Sequence, residues 1–451
     1  MNEKFIELRT KYESIIYKNY LITEIDNELK IEYEFEIPNL ITFNPTIYIN
    51  KEIITNKNLN ENLLKTIVFN LGMVELISYY KCVCPKKIII EAGYLDEFAQ
   101  NWFKKLFYNG LGEFFYVNNI EVSQEELFDF EIKGQKLEIG NVDFNGIGNL
   151  IPVGGGKDST VSLELLKGLN NTCFIINPKE PQLACCKVAN YKENEICTIK
   201  RNIDKGLLEL NKQGFLNGHT PFSSMVSFVT FLVAYLSNKR YIVLSNEGSA
   251  NEPTVLDTNI NHQYSKSYEY EKDFNEYTKK YFNIDINYFS LLRPIKEIQI
   301  AMMFSNYKKY HKIFKSCNVG SKSIPWNWCC DCPKCLFVYI ILSPFLTKEE
   351  RIDIFGREVY DNENLKTSFL ELIGVNETKP FECVGTIDEV IFSLNKFIEK
   401  NNELPYLVKL YKDNYYKDLD IDLSYIEETE HNVPIEYLNI LKEEIQKCIN
   451  K

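Results

Sequence analysis

The stretch LIPVGGGKDSTVSLELL, residues 150–166, sets three glycines, a lysine, an aspartate and a serine between two apolar segments. The first segment has the length of a short buried strand, and the second, from about residue 159 to 169, has the period of a helix. A loop between a strand and a helix N-terminus presents free backbone N–H groups and the positive end of the helix dipole. Glycines let phosphate oxygens approach that backbone without a Cβ in the way. The stretch therefore predicts an anion-binding loop in an α/β fold.

The bulk composition, 451 residues with 45% hydrophobic and 25% charged side chains, is that of a globular protein of two or three folding units. The net charge of -12 argues against a nucleic-acid partner bound through a broad basic surface. The N-terminus lacks an apolar signal core, and apolar runs such as residues 225–236 fall short of the roughly 20 residues of a membrane span. We therefore expect a cytoplasmic protein with no membrane partner, whose thirteen cysteines are thiols or metal ligands. The oligomeric state stays open.

The first 145 or so residues are predicted to be mostly strands and hairpins. Apolar and charged residues alternate through residues 31–37, which is the period of a half-exposed strand. Residues 87–92 predict a more buried strand and residues 95–107 an amphipathic helix, and a second alternating segment, FDFEIKGQKLEIGNVDF, precedes the glycine stretch. Residues 1–145 are therefore predicted to form a strand-rich α+β domain.

Beyond residue 145 strands alternate with helices. The predicted strands are residues 150–153, 173–177, 195–203, 241–246 and 288–292, and the predicted helices begin near residues 159, 181, 221 and 295. Such alternation gives a parallel sheet with helices on both faces. We predict a parallel-sheet catalytic domain over residues 146–345 and a helical, highly charged C-terminal region over residues 346–451.

Six residues form the predicted phosphate contact: Gly154, Gly155, Gly156, Lys157, Asp158 and Ser159. Neither the Walker A spacing nor the dinucleotide G-x-G-x-x-G spacing is present. The stretch instead resembles the S-G-G-x-D-S loop of the PP-loop ATP pyrophosphatases, with glycine in place of the first serine. That resemblance implies cleavage of ATP between the α- and β-phosphates, with a substrate oxygen activated as its adenylate. The alternative is a glycine-rich turn with chance acidic and hydroxyl neighbours.

The polar residues of the loop have separate expected roles. We expect Lys157 to compensate for the missing serine as a point charge on the β- or γ-phosphate. We expect Asp158 to hold Mg²⁺ and Ser159 to donate to phosphate or to cap the helix. Asn177, at the end of the next predicted strand, is a further candidate for cofactor binding.

Four cysteines have the spacing of a metal site: Cys317, Cys329, Cys332 and Cys335. Four thiolates at such spacings suit a structural, tetrahedral Zn²⁺. The arrangement resembles the zinc site of the deazaguanine nitrile synthases, with Cys330 in place of an intervening glycine and a longer gap after Cys317. The alternative is a set of reduced cysteines packed under a turn.

Further blocks of sequence indicate a family. They are NGHTPFSS (217–224), SNEGSANEPT (245–254), NHQYSKSYEYE (261–271), YFSLLRPIKEIQIA (288–301), CPKCLFVYIILSPFL (332–346) and KPFECVGTIDEV (379–390). Together with PVGGGKDS, they resemble the UDP-N-acetylmuramoyl-L-alanyl-L-glutamate epimerases (MurL) of bacterial peptidoglycan synthesis over about residues 145–392. The resemblance implies that the chain uses ATP and Mg²⁺ to invert the terminal L-glutamate of a nucleotide-sugar peptide, releasing AMP and pyrophosphate.

Candidate acid/base groups for that inversion are few. They are His219, His262, Glu247, Tyr264, Lys266 and Cys383. The two histidines lead because their pKa range suits both abstraction and return of a proton. Glu247 follows a predicted strand at the edge where parallel sheets bind ligands, Cys383 would serve as a thiol acid, and Tyr264 and Lys266 would share a face if their segment is extended.

The candidate substrate anchors are Arg293, Lys266 and Asn246, which would hold a carboxylate or the substrate diphosphate. A salt bridge or an ordinary hydrogen bond is the alternative role for each. His311 and His431 lie among charged residues and are predicted to be solvated.

Two other functions stay open. A PP-loop ligase or amidating enzyme would transfer ammonia to an adenylated carboxylate, and a nucleobase-modifying enzyme is a variant of this alternative, although no glutaminase nucleophile is evident in the chain. A non-catalytic ATP sensor would bind the nucleotide alone, but the polar residues 246–266 indicate a second reactive pocket.

Overall fold

The computed structural model describes residues 2–255, 258, 260–322, 326–376, 378–426 and 430–450. The strands are β1 Ser14–Ile25, β2 Glu28–Ile37, β3 Ile41–Phe43, β4 Thr46–Asn50, β5 Lys87–Ile90, β6 Asp129–Ile132, β7 Asn149–Pro152, β8 Asn171–Ile176, β9 Ile196–Asn202, β10 Tyr241–Leu244 and β11 Asn287–Ser290. The helices are α1 Glu3–Lys11, α2 Glu61–Tyr80, α3 Glu97–Gly110, α4 Gly112–Val117, α5 Lys157–Leu165, α6 Glu180–Val188, α7 Lys205–Lys212, α8 Phe222–Leu236, α9 Tyr268–Tyr281, α10 Glu297–Ser305, α11 Pro333–Leu342, α12 Lys348–Phe355, α13 Lys366–Leu372, α14 Ile387–Lys400, α15 Tyr406–Asn414 and α16 Ile435–Ile449.

All eleven of these strands join one mixed sheet, in the order β11-β10-β7-β8-β9-β4-β2-β1-β5-β6, with β3 paired to β2. The strands β11, β10, β7, β8 and β9 are parallel neighbours, as the alternation of strands and helices predicts. The α/β class is thereby confirmed.

The sheet reverses direction where β9 meets β4, because these two strands pair antiparallel. β2 and β1 each reverse it again, and β5 and β6 then run parallel to β1. The amino ends of β5 and β6 therefore lie at the same edge of the sheet as the carboxyl ends of β7, β8 and β10. The sheet is continuous across residue 145, and the domain boundaries at 145 and 345 stay predictions.

Helices cover both faces of the parallel strands. Leu150 and Ile242 pack in one hydrophobic core, while their neighbours Ile151 and Val243 pack in a second core. This alternation is the two-residue period of a strand that is buried on both sides. Helices α2 and α8 cover one face, and α5, α10 and α11 cover the other.

Helix α2 departs from the predicted strands and hairpins of the N-terminal part. By length and composition alone it is apolar enough to cross a membrane, so the expectation that no such run exists was wrong. In the structure 83% of its most apolar 18-residue stretch is buried, and the helix packs on α8, β1 and β2. A helix that is apolar on nearly all sides has no amphipathic period, which is why the pattern did not reveal it.

Two further predictions need correction. In the second alternating segment only β6 forms, and residues 133–145 have no regular structure. At Gly134 the backbone passes so close to Gly93 that a Cβ would lie 2.1 Å from the Gly93 carbonyl oxygen, where the chain leaves the sheet. His311 is buried rather than solvated, with its ring packed 5.2 Å from that of Phe304.

A buried ion pair joins the N-terminal half to the central sheet. Glu75 on α2 is fully buried and accepts two hydrogen bonds of 2.8 Å from the guanidinium of Arg201 on β9. A paired guanidinium and carboxylate of this geometry satisfy each other's charge in a low-dielectric interior.

We predict that Glu75→Ala lowers the free energy of unfolding by about 3–5 kcal/mol, because it leaves the Arg201 guanidinium without its carboxylate. The control is Glu36→Ala, which breaks the half-exposed pair with Lys18 and is expected to cost about 1 kcal/mol or less. Urea denaturation measures both, and equal losses would contradict the prediction.

Candidate functional site

A cavity of about 370 Å³ opens at the carboxyl ends of β7, β8 and β10. Its floor is the glycine loop, and its walls come from the loops after β10 and around residues 315, 334 and 383. The lining includes Gly154, Gly156, Asp158, Ser159, Asn246, Lys266, Lys315, Lys334, Glu382 and Cys383. Carboxyl ends of parallel strands are where open α/β sheets bind ligands.

The glycine loop closes on itself ahead of α5. Gly155 has a φ of +81°, and a Cβ there would meet the Gln182 backbone nitrogen at 3.1 Å, so the position requires glycine. The Ser159 hydroxyl accepts from the Gly155 N–H at 3.2 Å and donates to the Gly156 carbonyl at 3.1 Å. Within the described residues no side chain caps α5, so its first-turn N–H groups are left for an anion in the adjoining cavity.

Lys157 faces the interior instead of the cavity. Its side chain is 2% exposed, and its ammonium donates to Glu297 at 2.6 Å and to the Asp158 carboxylate. Although burial disfavours the charge, Asp158 and Glu297 raise the pKa of Lys157. Burial raises the pKa of Glu297 to about 8 against the opposing effect of Lys157. The expected contact of Lys157 with phosphate stays a prediction.

The cavity combines an apolar wall with cationic side chains. The apolar wall consists of Phe174, Ile176, Phe222, Val226 and Leu244. The cations include Lys315, whose backbone N–H donates to the Gly155 carbonyl of the loop at 2.9 Å, and Lys334, whose ammonium donates to the Cys383 carbonyl. Such a cavity suits a ligand with a flat apolar part and several negative charges.

Cys383 lies in this cavity as a polarised thiol. Its sulfur accepts a hydrogen bond from the Lys266 ammonium at 2.9 Å and shares another with His262. Burial raises the pKa of the thiol, but Lys266 and His262 together lower it to about 6. A pKa of about 6 favours the thiolate at neutral pH, which is the form that accepts a proton.

His262 stands behind the thiol, between Cys383 and a carboxylate from the N-terminal half. Its Nδ1 lies 2.5 Å from Oε2 of Glu113, and the same oxygen lies 3.3 Å from Nδ1 of His219. The two imidazole rings are 4.5 Å apart. Burial lowers the pKa of His262, but Cys383 and Glu113 raise it to about 9, whereas burial and the charge of His262 lower that of His219 to about 4.

Glu113 carries no signal in the sequence. It lies in the short apolar helix α4, GEFFYV, far along the chain from both histidines. The chain continues from α4 to the amino end of β6, which lies at the same edge of the sheet as the cavity. Only the topology of the sheet identifies it.

Two other predicted residues, Arg293 and Glu247, make internal contacts. Arg293 is 1% exposed, and its guanidinium donates to the backbone carbonyls of Glu247, at 2.8 Å, and Lys266. Arg293 thus fixes the loops that carry these two residues. The Glu247 side chain is buried and does not line the cavity. Burial lowers the pKa of Lys266, but Cys383 and then Glu247 raise it above its usual value.

Tyr264, Asn177 and Asn246 take different positions. Residues 264–266 form a 3₁₀ turn rather than an extended segment, so Tyr264 bonds to Asn109 while Lys266 enters the cavity. Asn177 exchanges two 2.8 Å hydrogen bonds with the Arg201 backbone, outside the cavity. Asn246 lines the cavity and donates to Ser290 at 3.1 Å.

The four predicted metal ligands form a cluster beside the cavity. The ligand atoms of Cys317, Cys329, Cys332 and Cys335 lie within 4.8 Å of one another. Cys317 and Cys332 sulfurs are 3.9 Å apart, and Cys329 and Cys335 sulfurs are 3.7 Å apart. Zn–S bonds of about 2.3 Å in a tetrahedron put sulfurs about 3.8 Å apart, so the donor set fits zinc.

Comparison with known proteins shows to which family the chain belongs. The MurL N-terminal domain model matches residues 7–291, and the MurL C-terminal domain model matches residues 313–413. A relative from Micromonospora sp., named UDP-N-acetyl-alpha-D-muramoyl-L-alanyl-L-glutamate epimerase, is 33% identical over 337 residues, 73% of this chain and 74% of the relative. A relative of the same name from Xanthomonas oryzae pv. oryzae is 32% identical over 324 residues, 70% of this chain and 70% of the relative. No solved structure matches the chain. Two domain matches and relatives of this similarity show that the chain belongs to the MurL family and is an epimerase.

Proposed function

We propose that the enzyme inverts the terminal L-glutamate of UDP-MurNAc-L-Ala-L-Glu to D-glutamate through an acyl adenylate, consuming ATP and releasing AMP and diphosphate. The relatives' name supports the substrate. The observation that supports the mechanism is that one cavity holds both the glycine loop and the Cys383 thiolate. The resemblance of the loop to that of the PP-loop pyrophosphatases supports cleavage between the α- and β-phosphates.

An adenylate makes the proton transfer feasible. Removing the α-proton beside an ionised carboxylate places two negative charges on one small group. Adenylation removes the first charge and turns the carbonyl into a better electron acceptor. Each unit by which the pKa of that carbon falls is worth about 1.4 kcal/mol.

The cavity divides into parts that suit ATP. The apolar wall would contact the adenine, and the first-turn N–H groups of α5 with Lys315 and Lys334 would hold the phosphates. Asp158 lines the cavity with a carboxylate, the ligand type that Mg²⁺ prefers, and would hold it there. When bound, Mg²⁺ supplies positive charge to the phosphate oxygens.

Cys383 and His262 are the proposed proton-transfer groups, since their pKa shifts oppose each other. At neutral pH the thiolate lacks a proton and the imidazolium carries one, so one group can accept while the other donates. Inversion requires the α-carbon to lie between the two groups. The substrate therefore has to separate them on binding.

The proposal predicts that the protein, incubated with ATP, Mg²⁺ and UDP-MurNAc-L-Ala-L-Glu in D₂O, forms AMP and D-glutamate with deuterium at the α-carbon. Mass spectrometry and chiral analysis of the glutamate measure the result, with a reaction lacking ATP as the control. AMP formation without deuterium or D-glutamate would disprove the proposal, and AMP formation only on addition of ammonia would indicate a ligase.

Variants of the two proton-transfer groups should separate their roles. Cys383→Ala and His262→Gln are each expected to lower net inversion by roughly 10²- to 10⁴-fold. Each variant should still exchange the α-proton of only one epimer with solvent, because one face keeps its group. His431→Gln, outside the cavity, is the matched control. Exchange of both epimers in Cys383→Ala would contradict its role.

We also propose a structural zinc ion held by Cys317, Cys329, Cys332 and Cys335. Four thiolates at these distances would satisfy its tetrahedral geometry and fix the segments on either side of the cavity.

Metal analysis of the purified protein is expected to give about one equivalent of zinc per chain, and Cys332→Ser is expected to lose most of it. The control is Cys330→Ser, because Cys330 lies beside Cys335 but outside the group of four ligand atoms, and its thiol donates to the Phe355 carbonyl at 3.2 Å. Equal zinc in wild type and Cys332→Ser would contradict the site.

A further inference from the structure

One carboxylate oxygen lies between the two histidines next to the cavity. Oε2 of Glu113 is 2.5 Å from Nδ1 of His262 and 3.3 Å from Nδ1 of His219. We propose, building on the function above, that Glu113 is a positioning residue that orients His262 towards Cys383 as a proton donor, so that the N-terminal half completes the catalytic site. His219 is its second, uncharged partner.

The orientation follows from the bonding of the ring. Because Nδ1 of His262 donates to Glu113, Nε2 is the ring nitrogen left to donate to Cys383. A carboxylate on one nitrogen fixes the ring and stabilises the imidazolium, so the opposite nitrogen presents a proton to its partner. Without Glu113, His262 would keep the thiol as its only anionic hydrogen-bond partner among the described contacts.

The segment that carries His219 is held by hydrogen bonds from the N-terminal half of the chain. Lys81, directly after α2, donates to the Gly218 carbonyl and to the Thr220 hydroxyl at 2.9 Å. These two residues flank His219. Burial lowers the pKa of Lys81 to about 8, and burial also keeps His219 neutral at pH 7. Because the His219 imidazole is neutral, His262 is the charged partner of the Glu113 carboxylate.

The charged and titratable groups around His262 come from every element packed on it. They are Glu113 on α4, the adjacent His219, Lys81 after α2, Lys266 in the turn that follows His262, and Glu382 and Cys383 from the loop before α14. Glu113 and Cys383 are the anions that bond to the ring. Substitution of Glu113 therefore removes one of the two groups that raise the pKa of His262.

A divalent cation is the competing occupant, because the ligand atoms of Glu113, His219 and His262 lie within 4.8 Å of one another. Two features favour the hydrogen-bonded arrangement. The 2.5 Å contact is a hydrogen-bond distance with no room for an ion between the two atoms. The ammonium groups of Lys81 and Lys266 also act on His219 and would repel a second cation.

The experiment compares wild type, Glu113→Gln and Glu113→Asp, with Glu121→Gln as an exposed control from the same region. Three measurements are made on the full-length protein. They are the histidine titrations by NMR on ¹³C-labelled protein without substrate, the pH dependence of epimerisation, and the ATP–pyrophosphate exchange that reports adenylate formation. The four histidines of the chain make assignment by substitution practical.

In wild type, epimerisation should fall below about pH 6, as Cys383 gains a proton, and above about pH 9, as His262 loses one. In Glu113→Gln the basic limb and the His262 titration should both move down by about one to three pH units. Inversion at pH 8 should fall roughly 10²- to 10⁴-fold, while ATP–pyrophosphate exchange stays within about twofold, since Glu113 does not line the cavity. Glu113→Asp should recover part of the basic limb, and Glu121→Gln should match wild type.

An unchanged His262 titration in Glu113→Gln overturns the proposal, as does an equal loss of exchange and inversion, which would mark a purely structural role. Wild type is also compared with Glu113→Gln by metal analysis. If Glu113→Gln loses a divalent metal other than the zinc that Cys332→Ser loses, the three residues form a cation site and the proposal is overturned. The NMR titration needs no turnover. If Glu113→Gln shifts the His262 titration but the wild-type protein does not epimerise the substrate, the coupling of Glu113 to His262 stands and only the proposed function is rejected.

Discussion

The antiparallel pairing of β4 with β9 is the constraint on which the site depends. It reverses the sheet, so that the carboxyl ends of β7, β8 and β10 share an edge with the amino ends of β5 and β6. The glycine loop and Lys266 come from the first set of strand ends, and Glu113 comes from the second. An all-parallel sheet would place α4 at the opposite edge. The buried pair of Glu75 and Arg201 ties the same two parts of the chain together.

Along this edge the charges alternate in sign. Lys266 contacts Cys383, Cys383 contacts His262, and His262 contacts Glu113. Each group is mostly buried, and burial alone would neutralise thiol and imidazole. Each instead has an oppositely charged neighbour, so the ionised forms stabilise one another in a low-dielectric site. The opposing pKa shifts of Cys383 and His262 are a consequence of this order.

Local features of the fold and site were predictable from the sequence, and long-range ones were not. The order of strand, glycine loop and helix, the parallel strands β7 to β11 and the cysteine spacing are all encoded in short segments. Glu113 and Glu297 meet their partners across more than a hundred residues, and nothing in their own segments marks them. Arg293 was expected to bind substrate because a guanidinium suits a carboxylate or a diphosphate. A buried guanidinium requires hydrogen-bond acceptors within the protein, and the backbone carbonyls of the neighbouring loops supply them.

The position of Lys157 changes the question of how the loop tolerates glycine where a serine is usual. With its ammonium bound to Glu297, this lysine supplies no charge to the cavity without moving. The cations that do face the loop, Lys315 and Lys334, each lie within two residues of a cysteine of the cluster. A cross-link of four thiolates through one ion would hold both lysines against the loop at little entropic cost on binding. We infer that the cysteine cluster compensates for the serine hydroxyl that is missing at Gly154, because it fixes the positive charges of Lys315 and Lys334 beside the loop.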